Sequence, residues 1–313
     1  MTHLDYPRGY ARARLPNGNR QSPAHASRSA VPGWLDPEDR PVFVTAHPPY
    51  FARIYVPPAG KGLAGHYEIG LTHQSRRDLL TDLEARIGRG RGFAVATLNL
   101  DHVVKLRHSA RFREAYDAHS HIVADGNPIV WLARMAGQDV KLTPGSELVL
   151  PVAEMAARTG VSLGLFGGTP ESLAQARTAI ETHAPDARVA NCLAPPVGFD
   201  PDGTDAEVFI STMQESDAAI WLLALGAPKQ EILASRAFAR MPDRGFLSVG
   251  AGLDFIAGCQ RRAPGVVRSL ALEWAWRMAG DPARLAPRYG KCIAILPKLA
   301  EAALLQRSEL QGR

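Results

Sequence analysis

The chain has 313 residues, 46% of them hydrophobic and 21% charged, which is the composition of an ordinary globular protein with one large or two modest domains. Its net charge of +5 is unevenly spread: residues 1–72 hold 8 basic and 5 acidic side chains, residues 259–313 hold 10 and 4, and the middle is slightly acidic. That distribution favours a basic tail meeting an anionic surface, either phosphate or an acidic membrane, over a protein basic throughout; a solvated basic face is the plainer alternative.

Cys192, Cys259 and Cys292 are far apart and odd in number, with no disulfide or zinc spacing, so a reducing cytoplasm is the expected setting. The opening residues carry arginines without an apolar core, so no secretory signal is expected. No apolar run reaches the roughly 18 residues of a membrane-spanning helix.

In chain order, residues 1–72 come first, with ten of the 24 prolines; they read as an irregular extension with one short strand around "FARIYV". From residue 73 the rhythm becomes regular. The helix "SRRDLLTDLEARIGRG" precedes the strand "FAVATLNL", a single helix over "DHVVKLRHSARFREAYDAH", and the strand "HIVAD". Helices over "PIVWLARMAG" and "SELVLPVAEMAARTG" lead to the strand "VSLGLFGG" and the helix "PESLAQARTAIETHA". The strand "ARVANCLA", the helix "DAEVFISTMQES", the strand "AAIWLLALG", the helix "PKQEILASRAFARM" and the strand "GFLSVGAG" complete the series. Short apolar strands alternating with amphipathic helices predict an α/β fold, a Rossmann-like, mostly parallel sheet flanked by helices over residues 73–258. Residues 259–313 then read as a basic helical appendage, with Arg262, Arg277, Arg284 and Arg288 among its tryptophans.

Ligands of such sheets bind beyond the C-terminal strand ends. At one of these ends stands Asp125, in "VADGNPIVW". A carboxylate there can take a proton from an attacking hydroxyl, or it can simply serve the turn that D-G-N-P invites. Thr97 and Asn99 in "TLNLD" share a side if the strand continues, and can hydrogen-bond a sugar or phosphate; helix capping is the alternative. Gly167 and Gly168 in "LFGGTPE" let backbone amides approach a phosphate, although tight β-to-α turns need glycine anyway. Gly226, Lys229 and Gln230 in "LGAPKQE" occupy a further strand end.

"GAGLDF" lacks the third glycine of the dinucleotide fingerprint and falls at the last strand, so no NAD site is expected; Asp254 within it is a candidate substrate contact. "FDPDG" offers Asp200 and Asp202 in a metal-binding spacing, but a polar loop that caps the next helix is the simpler reading. His119 and His121 lack a companion ligand set and read as surface or core histidines. No metal site or cofactor is expected.

Read together, "TLNLDHVV", "VADGNPIVW", "FGGTPES", "PPVGF", "LGAPKQE", "GAGLDFIAGCQRRAP" and "LEWAWRMAGDPARLAPRY" resemble the WecG/TagA/CpsF family of bacterial glycosyltransferases, from about residue 66 to 290. The resemblance implies an inverting, metal-independent transferase that moves a hexosyl or N-acetylhexosaminyl unit from a nucleotide donor, UDP being the expected nucleotide, onto an undecaprenyl-diphosphate-linked sugar. It implies Asp125 as the catalytic base, Thr97 as a pocket residue and Gln230 as a donor contact. It also implies that the arginine-rich appendage associates with the inner face of the cell membrane and closes over the donor diphosphate. No nucleic-acid partner is expected, and a homo-oligomer is left open. The chain departs from the family pattern at "KLTPGSEL", where Lys141 replaces an arginine, and at "LALEWAWR". Rivals are another Rossmann-like nucleotide-dependent enzyme and a non-catalytic nucleotide-sugar-binding subunit.

Overall fold

The computed structural model describes residues 50–59, 67–260, 263–264, 267 and 273–311. Two strands, β1 (Ala52–Val56) and β2 (Tyr67–Leu71), form an antiparallel pair in the proline-rich stretch. The central sheet is wholly parallel and uses β3 (Phe93–Leu98), β4 (His121–Ala124), β5 (Ser162–Gly167), β6 (Arg188–Leu193), β7 (Ala218–Ala224) and β8 (Gly245–Ser248) in the order β4-β3-β8-β7-β5-β6. This is the expected Rossmann-like α/β architecture. The short strand around "FARIYV" is present too, as β1.

The inner strands are buried on both faces because they are mostly apolar, and the pleat sends alternate residues to opposite sides. On β7, Ile220 and Leu222 enter one core while Trp221 and Leu223 enter another; on β3, Val95 and Ala96 separate in the same way. The first core is covered by α1 (Arg76–Ile87), α5 (Val149–Thr159), α6 (Pro170–His183) and α9 (Gly252–Ile256). The opposite face is covered by α2 (Leu100–Leu106), α3 (Ala110–Asp117), α4 (Asn127–Met135), α7 (Thr204–Glu215) and α8 (Lys229–Arg240). Burying one such leucine or phenylalanine is worth about 1.5–3 kcal/mol. Gly164 exists because of this packing: a Cβ there would lie 2.4 Å from the Trp221 ring.

The stretch expected as one helix after β3 is two. Ser109 interrupts it with extended backbone and caps α3 through its hydroxyl, which accepts from Phe112 N. Helices α10 (Glu273–Gly280) and α11 (Pro282–Gln311) follow the sheet. Ile295, Leu299 and Ala303 of α11 share a core with Ile54 and Ile69 of the strand pair, and with Leu98 and Ile129. Tyr55 Oη donates to Glu309 and Gln306 Nε2 donates to the Arg53 carbonyl. Segments from both ends of the chain therefore complete the core beside β3 and β4.

Candidate active site

The strand ends line up along one edge of the sheet. After β7 the chain turns to the face of α8, whereas after β5 and β8 it turns to the face of α6 and α9. Loops that diverge to opposite faces leave a crevice between them, where ligands of such sheets bind.

At the β3–β4 end, Thr97 is buried and Asp125 half-buried; Thr97 Oγ1 donates to Asp125 Oδ2 at 3.3 Å. The Asp125 N–H bonds to the Leu98 carbonyl at 2.7 Å, so the parallel ladder holds the carboxylate one residue past the strand. Gly126 follows with φ +98°, a backbone that favours glycine. Gly145 closes the site from below: a Cβ there would meet the Ser248 carbonyl at 2.9 Å and Thr97 Oγ1 at 3.0 Å. Asn99 is placed beside them, but its carboxamide oxygen accepts from His102 N and caps α2, the alternative role weighed above.

At the β7–β8 end, Gln230 is buried, and its Oε1 accepts from Gly226 N (3.2 Å) and Gly250 N (3.1 Å). It ties the two turns together. Gln230 Nε2 donates to Glu231 Oε1 at 2.8 Å, which fixes the amide's orientation. Glu231 is wholly buried, its Oε2 makes no hydrogen bond, and burial pushes its pKa up to about 7. The polar "KQE" run gave no signal that its glutamate points inward; a helix's first turn packed against a sheet is where that happens.

Lys229 Nζ donates to the Phe199 carbonyl at 2.6 Å, pinning the "PPVGF" loop to α8. That loop lines a shallow pocket of about 250 Å³ together with Asp200 and Thr204, beyond β6 at the far end of the sheet from Asp125. Asp202 pairs with Arg111 at 2.7 Å, so the two aspartates of "FDPDG" serve the loop.

Gly167 (φ +124°) and Gly168 (φ +62°) turn into α6, whose N-terminus carries a Thr169–Ser172 capping box. A Cβ on Gly168 would sit 3.7 Å from Asp254 Oδ1, which brings the two candidate substrate contacts together. Burial raises the Asp254 pKa, and the Gln260 amide, donating to Oδ2 at 2.7 Å, opposes the rise.

Among the appendage arginines, Arg262 lies outside the described residues, as do the side chains of Arg277 and Arg284. Arg288 pairs with Asp101 at 3.0 Å. The same Asp101 oxygen meets Lys105 Nζ at 2.6 Å, and Lys105 donates to the Ala227 carbonyl at 2.8 Å. Asp101 and Lys105, unremarked in the sequence, thus join the last helix to the turn that carries Gln230.

A model of the WecG/TagA/CpsF glycosyl transferase family matches residues 66–311, spanning the sheet, both ends of the crevice and the last helix. The chain belongs to this family. Membership makes it a glycosyltransferase of cell-surface polysaccharide synthesis; the family works with nucleotide-sugar donors and lipid-linked acceptors. Among the described residues, no helix is long and apolar enough to cross a membrane.

Proposed function

We propose that the protein is an inverting transferase that moves a hexosyl or N-acetylhexosaminyl group from a UDP-sugar onto an undecaprenyl-diphosphate-linked sugar, with Asp125 as general base. The observation that carries the reading is the Thr97–Asp125 contact at the lip of the crevice. The acceptor hydroxyl oxygen forms a bond to the anomeric carbon, and the bond from that carbon to the phosphate oxygen breaks. The electron pair leaves with the nucleoside diphosphate, and the hydroxyl proton goes to the Asp125 carboxylate. Attack from the side opposite the leaving group inverts the anomeric centre.

Thr97, donating to one carboxylate oxygen, orients the base towards the acceptor. Orienting both substrates this way converts an encounter into a near-unimolecular step. Negative charge on the departing diphosphate needs donors at its final position. The amides at Gly168 and at the start of α6 meet that need, helped by the helix dipole. The turns at Gly226 and Gly250 form the neighbouring wall, whose shape Gln230 sets by accepting from both of their N–H groups. Arg288 would add charge by leaving Asp101 for the diphosphate.

The appendage supplies the membrane contact in this reading. Trp274 and Trp276 are 41% and 44% exposed, and Ile293 and Leu304 of α11 face outward at helical spacing, opposite buried Ile295 and Leu299. Aromatic side chains favour the lipid interface, and each nearby lysine or arginine adds about 1 kcal/mol on an anionic leaflet. Binding to vesicles containing anionic lipid should weaken in a Trp274→Ala/Trp276→Ala variant; unchanged binding would remove this role.

The reaction is tested by incubating the protein with individual nucleotide sugars and a synthetic undecaprenyl-diphosphate amino sugar. The expected product is an extended lipid-linked saccharide whose new linkage is inverted relative to the donor. Retained configuration would exclude single displacement. Nucleotide-sugar binding without any transfer across a panel of donors and acceptors would favour the non-catalytic subunit.

A further inference from the structure

Away from the crevice, at the N-terminal end of edge strand β4, three side chains converge: His121 on the strand, His73 just after β2, and Asp82 on α1. His121 Nε2 lies 2.7 Å from Asp82 Oδ2 and His73 Nε2 lies 3.7 Å from the same oxygen. The two imidazoles stack with ring centroids 5.2 Å apart. In the sequence His121 had no companion ligands; the fold supplies two.

A hydroxyl lies behind each ring. Ser120 Oγ accepts from Ala94 N, approaches the Ala94 carbonyl at 3.2 Å and lies 2.7 Å from His121 Nδ1. Thr72 Oγ1 likewise accepts from Ile122 N, donates to the Ile122 carbonyl, and faces His73 Nδ1 at 2.9 Å. With each hydroxyl proton on its carbonyl, the hydroxyl oxygen accepts from Nδ1–H, the tautomer in which Nε2 is a ligand atom. Arg86 Nε donates to Asp82 Oδ2 at 2.9 Å, which neutralises the carboxylate but provides nothing to the imidazole nitrogens.

We propose that His73 Nε2, His121 Nε2 and Asp82 Oδ2 bind one divalent transition-metal ion, of the kind that imidazole and carboxylate together prefer, with zinc as the type ion. A tetrahedral ion about 2.0–2.1 Å from each ligand spaces them roughly 3.4 Å apart. The observed 2.7 and 3.7 Å bracket that value, so small side-chain shifts suffice. The hydroxyls on both Nδ1 atoms are the outer-shell partners that orient ligating histidines. Arg86 becomes the outer-shell partner of the carboxylate, and a solvent molecule takes the fourth position. The ion staples the β2–α1 junction to β4, the strand whose other end presents Asp125. The proposal stands apart from the transferase reading and does not depend on it.

The test uses the full chain, stripped of metal with a chelator and titrated with Co²⁺ and then Zn²⁺. The expected result is one equivalent of Co²⁺ with visible d–d absorption of low-symmetry nitrogen and oxygen coordination, displaced by Zn²⁺, and a raised melting temperature with either ion. His73→Ala and Asp82→Ala should each remove that spectrum, and Thr72→Val should weaken binding about 10–100-fold by releasing the His73 ring. Absence of saturable Co²⁺ uptake by the wild-type chain overturns the proposal on its own, whether or not the variants fold. So does uptake that His73→Ala and Asp82→Ala leave unchanged.

Discussion

At the β3–β4 end of the crevice, Thr97 Oγ1 reaches a half-buried Asp125 at 3.3 Å. At the β7–β8 end, Gln230 and Glu231 are buried, and the glutamine uses both ends of its amide to hold two turns and its neighbour. The difference separates two jobs. A base must reach an incoming hydroxyl and change protonation during each turnover, so it needs solvent access and spare hydrogen-bonding capacity. A cradle must keep its shape while charge develops, so Gln230 is buried and bonded at both ends of its amide.

Asp125→Asn should break the first end without touching the second. Turnover should fall by about 10²–10⁴-fold, the usual worth of a positioned base. The melting temperature and donor affinity should stay near wild type, because asparagine keeps the shape and can still accept from Thr97. Next in size, Gly167→Ala forces a side chain into φ +124° with its Cβ 2.4 Å from the Ala224 carbonyl oxygen. Strain of that kind costs about 1–3 kcal/mol, read as a lowered unfolding midpoint in urea.

Gln230→Ala should break the second end while leaving the base in place. Two backbone N–H groups lose their partner, at a cost of about 1–3 kcal/mol for a buried group, and donor binding should weaken with little change in the pH dependence of turnover. Calorimetric donor titration beside a pH–rate profile separates the two effects.

The smallest effect concerns Glu231. Its carboxyl stays protonated in the folded chain up to about pH 7, whereas an exposed glutamate loses its proton near 4.5. Between those values the folded state binds more protons than the unfolded one. Stability should therefore be highest at the acid end of that interval and decline as pH rises towards 7, by at most about 1.4 kcal/mol per pH unit. Glu231→Gln should flatten the slope while still accepting from Gln230, which denaturant melts at pH 5 and pH 7.5 would reveal.

The elements legible in the sequence were those written in local pattern. Short apolar runs, three of them ending in glycine, marked all six parallel strands, and their ends marked Asp125 and Thr97 as site candidates; the fold places the two strands side by side. What the pattern could not show depended on which distant segments meet. Gln230 reads as a strand-end donor contact, and only the fold shows β8 bringing Gly250 to its carboxamide. Asn99 reads as strand until Leu98 ends β3 and the amide caps α2. His121 reads as an isolated histidine until α1 delivers Asp82 from outside its own strand. The proline content of residues 1–72 concealed a strand pair whose inward residues join the same core as α11.

The pH dependence of single-turnover transfer, at saturating donor, tests the role of Asp125 most directly. The account predicts that wild-type transfer rises with pH through one ionisation on the acid side, and that Asp125→Asn leaves a small residual rate without that limb. A variant that transfers at the wild-type rate, or keeps the acid limb intact, would contradict it.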